Sequence, residues 1–152
     1  MRIGTLVHSA LEALGKSGEP ERALKIAASR EIATPDELNA AQLILGGGLH
    51  QELEELLRGA RAVYSEMPFT RLADGEIHEG KIDLLVHSAQ GKWVVVDYKT
   101  DDVASEDVAL RSRNYEAQMR SYAGAVESLI GRRADELWLY FLRPRRIHKI
   151  AQ

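Results

Sequence analysis

The stretch "KWVVVDYKT" (residues 92–100) constrains this chain more than any other. Three consecutive valines after Trp93 make a β-branched apolar run, which belongs in a buried strand. The run ends in Asp97, Tyr98 and Lys99. Residues i and i+2 of a strand project to one side. A carboxylate and an ammonium therefore share a face at the polar end of a buried strand. The preceding strand pattern, "IHEGKIDLLVHS" (77–88), holds Asp83 between Ile82 and Leu84, where an acid breaks the local propensity. A short turn at 89–91 pairs the two strands, and with its centre near residue 90 it sets Asp83 opposite a residue near 97. Like charges facing each other on a ladder are destabilising. A cation between them makes the arrangement favourable, and oxygen ligands with open positions suit Mg²⁺ or Mn²⁺.

The rest of the chain predicts what surrounds this pair. Ile3, Leu6, Val7, Ala10, Leu11 and Leu14 recur at helical spacing, with Gly15 and Gly18 expected to end the helix. A short helix follows Pro20. Thr34, Pro35 and Glu37 form a helix start with a capping box, and that helix is expected to reach about Leu45. "GGG" at 46–48 breaks it, and a further helix runs to about Arg58. After Gly59 the period changes. "AVYSEMPFTRL", a turn at Asp74-Gly75, "IHEGKIDLLVHS" and "KWVVVDYKT" read as an antiparallel meander. A polar connection over 101–113 leads to a helix with Asn114 as N-cap and Gly131 past its end, then to the strand "ELWLYFLR". This order predicts an α/β fold: a mixed central sheet flanked by helices, its last strand parallel to an earlier one, with an N-terminal helical segment. The expected organisation is a single domain, with a helical segment over 1–58, a core over 60–142 and a tail over 143–152 that carries the basic cluster "RPRR".

Composition bounds the chemistry. With 20 Lys+Arg against 23 Asp+Glu, the net charge of −3 argues against a protein that passively coats DNA. It leaves room for an enzyme of nucleic acids whose acidic site takes up divalent ions. The absence of cysteine excludes disulfides, thiolate zinc sites and cysteine-ligated iron–sulfur clusters. No apolar run approaches the roughly 20 residues of a membrane helix, and no secretory signal is visible, so the expected location is the cytoplasm.

Together, "GKIDLLV" and "VVVDYKTD" resemble the nuclease domain of the RecB-type and AddA-type members of the PD-(D/E)xK superfamily, restriction-endonuclease-like domains at the C-terminal ends of bacterial helicase–nucleases. The resemblance extends over almost the whole chain. "GTLVHSALEAL" (4–14) is similar to the family's N-terminal helix with its histidine. "SEMPF" (65–69) is similar to its strand with an acid before "PF". "QMRSY" (118–122) is similar to its helix with glutamine and tyrosine four residues apart.

The resemblance implies roles. Asp83 and Asp97 bind the divalent metal, His8 is a further ligand, the backbone carbonyl of Tyr98 completes the protein ligands, and Glu66 contacts the metal directly or through water. Lys99 positions or activates the attacking water and stabilises developing charge. Gln118 and Tyr122, one helical turn apart, orient Lys99, the water or the DNA backbone. His50, His78, His87 and His148 belong to no such block and read as surface or structural residues, and Trp93 and Trp138 as core or sheet-face residues. The implied function is a metal-dependent deoxyribonuclease, the exonuclease module of a recombinational-repair helicase–nuclease, with DNA (a single strand or a duplex end) as substrate and a helicase domain as neighbour. The competing readings are a stand-alone phage or restriction-type endonuclease and a catalytically inactive DNA-binding module. The complete set His8, Asp83, Asp97 and Lys99 argues against the latter.

Overall fold

The computed structural model describes the backbone of residues 2–17, 20–46 and 48–152, with side chains over 3–13, 21–46 and 48–152. The chain forms two compact units, Met1–His50 and Gln51–Gln152.

The first unit holds α1 (Arg2–Ser17), α2 (Pro20–Glu31) and α3 (Pro35–Leu45). Leu6, Val7, Ala10, Leu11 and Ala13 of α1 are buried, as are Ala23, Leu24 and Ala27 of α2. Helix α1 passes through Gly15, the expected stop. A glycine inside a helix costs about 1 kcal/mol, less than the packing of several buried side chains contributes. Helix α3 ends at Leu45, at the glycine run (46–48) expected to break it, and Gly18 and Gly47 lie outside the described residues. Helix α3 begins at the predicted capping box: Thr34 N–H donates to Glu37 Oε2 at 2.8 Å, and Glu37 N–H donates to Thr34 Oγ1 at 3.3 Å. His8 sits half-buried on α1.

The second unit opens with α4 (Gln51–Leu57), so the helical segment expected over 1–58 divides between the units. Leu53 of α4 is buried, and Glu52 pairs with Lys149 at 3.1 Å. Five strands follow in the order β1 (Ala62–Ala73), β2 (Glu76–His87), β3 (Trp93–Lys99), β4 (Glu136–Phe141) and β5 (Arg146–Ile150). The first three form the expected antiparallel meander, and β4 is parallel to β3. Asp74 and Gly75 both have positive φ (53° and 79°), as a type I′ hairpin turn demands. Val94, Val95 and Val96 are fully buried, which is worth about 2 kcal/mol each.

Two expectations need correction. Residues 143–152 are not a free tail, because β5 pairs antiparallel with β4 from Phe141↔Arg146 to Leu137↔Ile150. The charges of Arg146 and Lys149 hid the strand from a hydrophobic pattern, yet charge is what an edge strand carries to discourage further pairing. The C-terminal helix, α6 (Glu116–Ile130), starts after Asn114, which lies in a 3₁₀ turn (Arg113–Tyr115) that follows the short α5 (Val108–Ser112). Gly131 ends α6 with φ 77°, donating its N–H to Glu127 O at 3.0 Å. The apolar face of α6 (Met119, Tyr122, Ala125, Val126) packs with Ile82, Leu85, Val95, Leu137, Leu139 and Phe141 of the sheet. That packing sets Gln118 of α6 beside Lys99 at the end of β3.

Candidate active site

Strands β1 and β2 keep one register from Ala62↔His87 to Ala73↔Glu76 and skip a single rung, that of Glu66 and Asp83. Glu66 has φ 52°, left-handed backbone that a non-glycine residue rarely adopts. On either side of this rung the side chains change parity. Ile82 and Leu85, an odd number of residues apart, lie in the same core, and Met67 and Phe69 pack against it too. In an uninterrupted strand such residues face opposite sides. The slip re-aims both acids while leaving the hydrogen-bond register untouched, and it accounts for an aspartate inside "KIDLLV".

The ladder between β2 and β3 ends at Leu84↔Val96. One more step would set Asp83 opposite Asp97, as the turn at 89–91 predicts. In place of that rung, Asp83 Oδ2 accepts the Tyr98 N–H at 2.7 Å. Glu66, Asp83 and Asp97 thus stand in a row across three strands, with a carboxylate oxygen of Glu66 and one of Asp83 within 4.8 Å. Glu66 Oε2 also lies 2.5 Å from Lys81 Nζ. A strand residue turns its N–H and C=O to the same edge. The Tyr98 carbonyl therefore faces β2, whereas Lys99 O turns the other way and accepts Leu142 N–H at 2.9 Å.

Asp97 is only 3% exposed. Lys99 Nζ lies 2.6 Å from its Oδ2, but off the direction a hydrogen bond requires, so this buried oxygen has an ion-pair contact and no directed donor. Burial, then the neighbouring Asp83, pushes the Asp97 carboxyl up to about 7, and Lys99 offsets only part of this. Lys99 Nζ donates to Gln118 Oε1 at 2.8 Å, and Gln118 Nε2 donates to Tyr122 Oη at 2.9 Å. The amide is thus held from both ends in one orientation. Burial, with Asp97 and Asp83 nearby, raises the Tyr122 phenol, so it keeps its proton and can donate it.

The second unit therefore brings together Glu66, Asp83, Asp97, Tyr98, Lys99, Gln118 and Tyr122. His8 belongs to the first unit. His87 stacks on Trp93, with ring centroids 4.2 Å apart. Sequence reasoning passed over Tyr115 and Asp101. The Tyr115 ring lies under Lys99 Nζ at 4.1 Å, and its hydroxyl is 2.9 Å from both Asp101 carboxylate oxygens. Asp101 was visible at the end of "VVVDYKTD", and Tyr115 stands three residues before Gln118, in the turn that leads into α6.

Carboxylates converging with a backbone carbonyl form the hard-oxygen donor set that Mg²⁺ and Mn²⁺ take. A buried Asp97 oxygen lacking a directed donor, beside a second acid, fits such an ion: the cation would turn a costly concentration of negative charge into a favourable one.

The model of the PD-(D/E)XK nuclease superfamily matches residues 1–151. Among curated relatives, an ATP-dependent helicase/nuclease subunit from Alkaliphilus metalliredigens is 31% identical over 153 residues, covering 89% of this chain and 12% of the relative. The protein of the same name from Lysinibacillus sphaericus is 34% identical over 102 residues (60% and 8%), and that from Listeria monocytogenes is 25% identical over 175 residues (97% and 14%). The chain spans no more than 14% of the length of any of the three.

Proposed function

Because the chain belongs to the PD-(D/E)XK nuclease superfamily, we propose that it hydrolyses phosphodiester bonds of DNA with a divalent ion, Mg²⁺ or Mn²⁺, held by Asp83 and Asp97. The observation that carries this reading is the meeting of those two acids at the end of the β2–β3 ladder, with Lys99 Nζ 2.6 Å from Asp97. When bound, the ion supplies a nucleophile from water at neutral pH and neutralises charge on the phosphate.

The chain's own residues do the rest. Asp83 and Asp97 hold the ion, with the Tyr98 carbonyl on the same edge and Glu66 reaching it directly or through water. His8 enters as a further ligand through the likeness of its "GTLVHSALEAL" helix. Lys99 presents a compact ammonium, suited to meet negative charge as it grows on the scissile phosphate. Gln118, braced by Tyr122, fixes where that ammonium points. In the longer proteins it resembles, a domain of this kind would act on strands delivered by a helicase. We therefore assign it the role of an exonuclease module working on a single strand or a duplex end.

Incubating the protein with end-labelled single- and double-stranded DNA, in Mg²⁺, Mn²⁺ or EDTA, tests the reading. Stepwise loss of label with either ion and none in EDTA is the expected result. Intact DNA in both ions, or cleavage that persists in EDTA, overturns it.

A further inference from the structure

The Lys99 ammonium has three N–H donors: one goes to Gln118 Oε1, while Asp97 Oδ2, 2.6 Å away, is an ion-pair contact that takes no directed donor. The third neighbour is the face of Tyr115, its centroid 4.1 Å from Nζ. That ring is itself fixed. Its hydroxyl donates to Asp101, whose Oδ2 lies 3.7 Å from Arg111 Nη1, and the ring leans on Phe141 with centroids 6.2 Å apart. Asp101 comes from the segment after β3 and Phe141 from β4, so two separate pieces of chain fix the Tyr115 ring, and Arg111 of α5 pairs with the Asp101 that holds its hydroxyl.

A ring face differs from an acid or an amide in what it takes from a cation. It attracts the ammonium through its quadrupole without consuming an N–H in a strong hydrogen bond. A carboxylate in that place would neutralise Lys99, and an amide would occupy a donor that is still available. We propose that Tyr115 is a positioning residue for Lys99: its face, pinned by Asp101, holds the ammonium in one place while leaving a donor for a phosphate oxygen. The proposal rests on the reading of Lys99 as the group that meets the scissile phosphate.

Two measurements test it. The first needs neither metal nor DNA. In wild type and in Tyr115→Phe, NMR should find the Lys99 side-chain protons moved upfield by the ring current, and in Tyr115→Leu they should return to ordinary positions. Unchanged Lys99 shifts in Tyr115→Leu overturn the proposal. The second is single-turnover cleavage at saturating DNA and Mn²⁺. Tyr115→Leu should be about tenfold slower than Tyr115→Phe, the size of a desolvated cation–π contact. Phenylalanines carrying one, two and three fluorines at position 115 should decline in step as the ring quadrupole weakens. They preserve the ring's shape, so they remain informative if Tyr115→Leu fails to fold. Rates indifferent to fluorination mean that Tyr115 only packs, and overturn the proposal. If wild type cleaves nothing, the nuclease reading falls, and the NMR comparison still decides whether Tyr115 holds Lys99.

Discussion

Asp83 Oδ2 accepts the backbone N–H of Tyr98 at 2.7 Å, so a side chain stands where the next rung of the β2–β3 ladder would be. The strands end their pairing there, and the acid that closes the ladder is the one that faces Asp97. A buried N–H left without a partner would cost about 1–3 kcal/mol. Asp83 is thus structural as well as a proposed ligand, and this makes it a poor first target for mutagenesis. Asp97 and Lys99 separate the two roles more cleanly.

The Asp97 carboxyl, raised to about 7 by burial and then by Asp83, sets a pH trend for the metal-free protein. A carboxyl whose folded pKa exceeds its unfolded value, about 4, contributes stability below the unfolded value and loses it as pH rises through the folded one. Melting temperatures in EDTA should therefore fall for wild type between about pH 4 and about pH 8 more steeply than for Asp97→Asn. Added Mn²⁺ should stabilise wild type most at the alkaline end, where both acids are charged. Parallel pH curves for the two proteins would show that this carboxyl is not strained.

Glu66 provides a backbone test. Alanine normally outranks glycine in ordered structure, but φ 52° reverses the order. Glu66→Gly should melt higher than Glu66→Ala, by about 1 kcal/mol of stability. Equal stabilities, or alanine the more stable, would mean that the parity slip at this rung does not persist in solution.

Gly80 faces Phe69 across β1 and β2, and a Cβ added there would meet the Phe69 ring at 2.8 Å. Its φ is not positive, so the backbone would accept alanine and the ring would have to move. Phe69 packs edge-on to Tyr122 with centroids 5.7 Å apart, and Tyr122 braces Gln118. Gly80→Ala should cost about 1–3 kcal/mol, the range for overpacking, and slow cleavage. In a Tyr122→Phe background, where the hydroxyl is gone, it should slow cleavage no further. Denaturant melts and single-turnover rates on the four proteins of this cycle check both points, and additive rate effects would break the link from Gly80 to Gln118.

Much of this architecture was legible in the sequence. The valine run announced β3, the spacing from the turn at 89–91 put Asp83 opposite Asp97, and Thr34 and Glu37 marked a helix start. These are local signals in which pattern and backbone agree. The missing pieces depend on tertiary context. Strand β5 carries the charges of Arg146 and Lys149 and forms because β4 offers it an edge. Tyr115 gains its meaning only when the turn before α6 is laid beside Lys99. The parity slip at Glu66 and Asp83 was seen only as an acid out of place, since a left-handed glutamate leaves no mark in a hydrophobic pattern.

His8 entered through the likeness of its helix to a known motif. In calorimetric titration with Mn²⁺, His8→Ala should weaken binding by about tenfold or more, the scale of losing a ligand or its support, whereas His78→Ala and His87→Ala should leave it near wild type. Equal effects at all three positions would reduce His8 to a packing residue of α1.

Whether Asp83 and Asp97 form a cation site is decided by the same titration on wild type and Asp97→Asn. Wild type should bind Mn²⁺ with release of protons near neutral pH, because Asp97 is partly protonated there. Asp97→Asn should bind far more weakly and release fewer protons. Equal Mn²⁺ affinity and equal proton release in the two proteins would mean that these acids hold no ion.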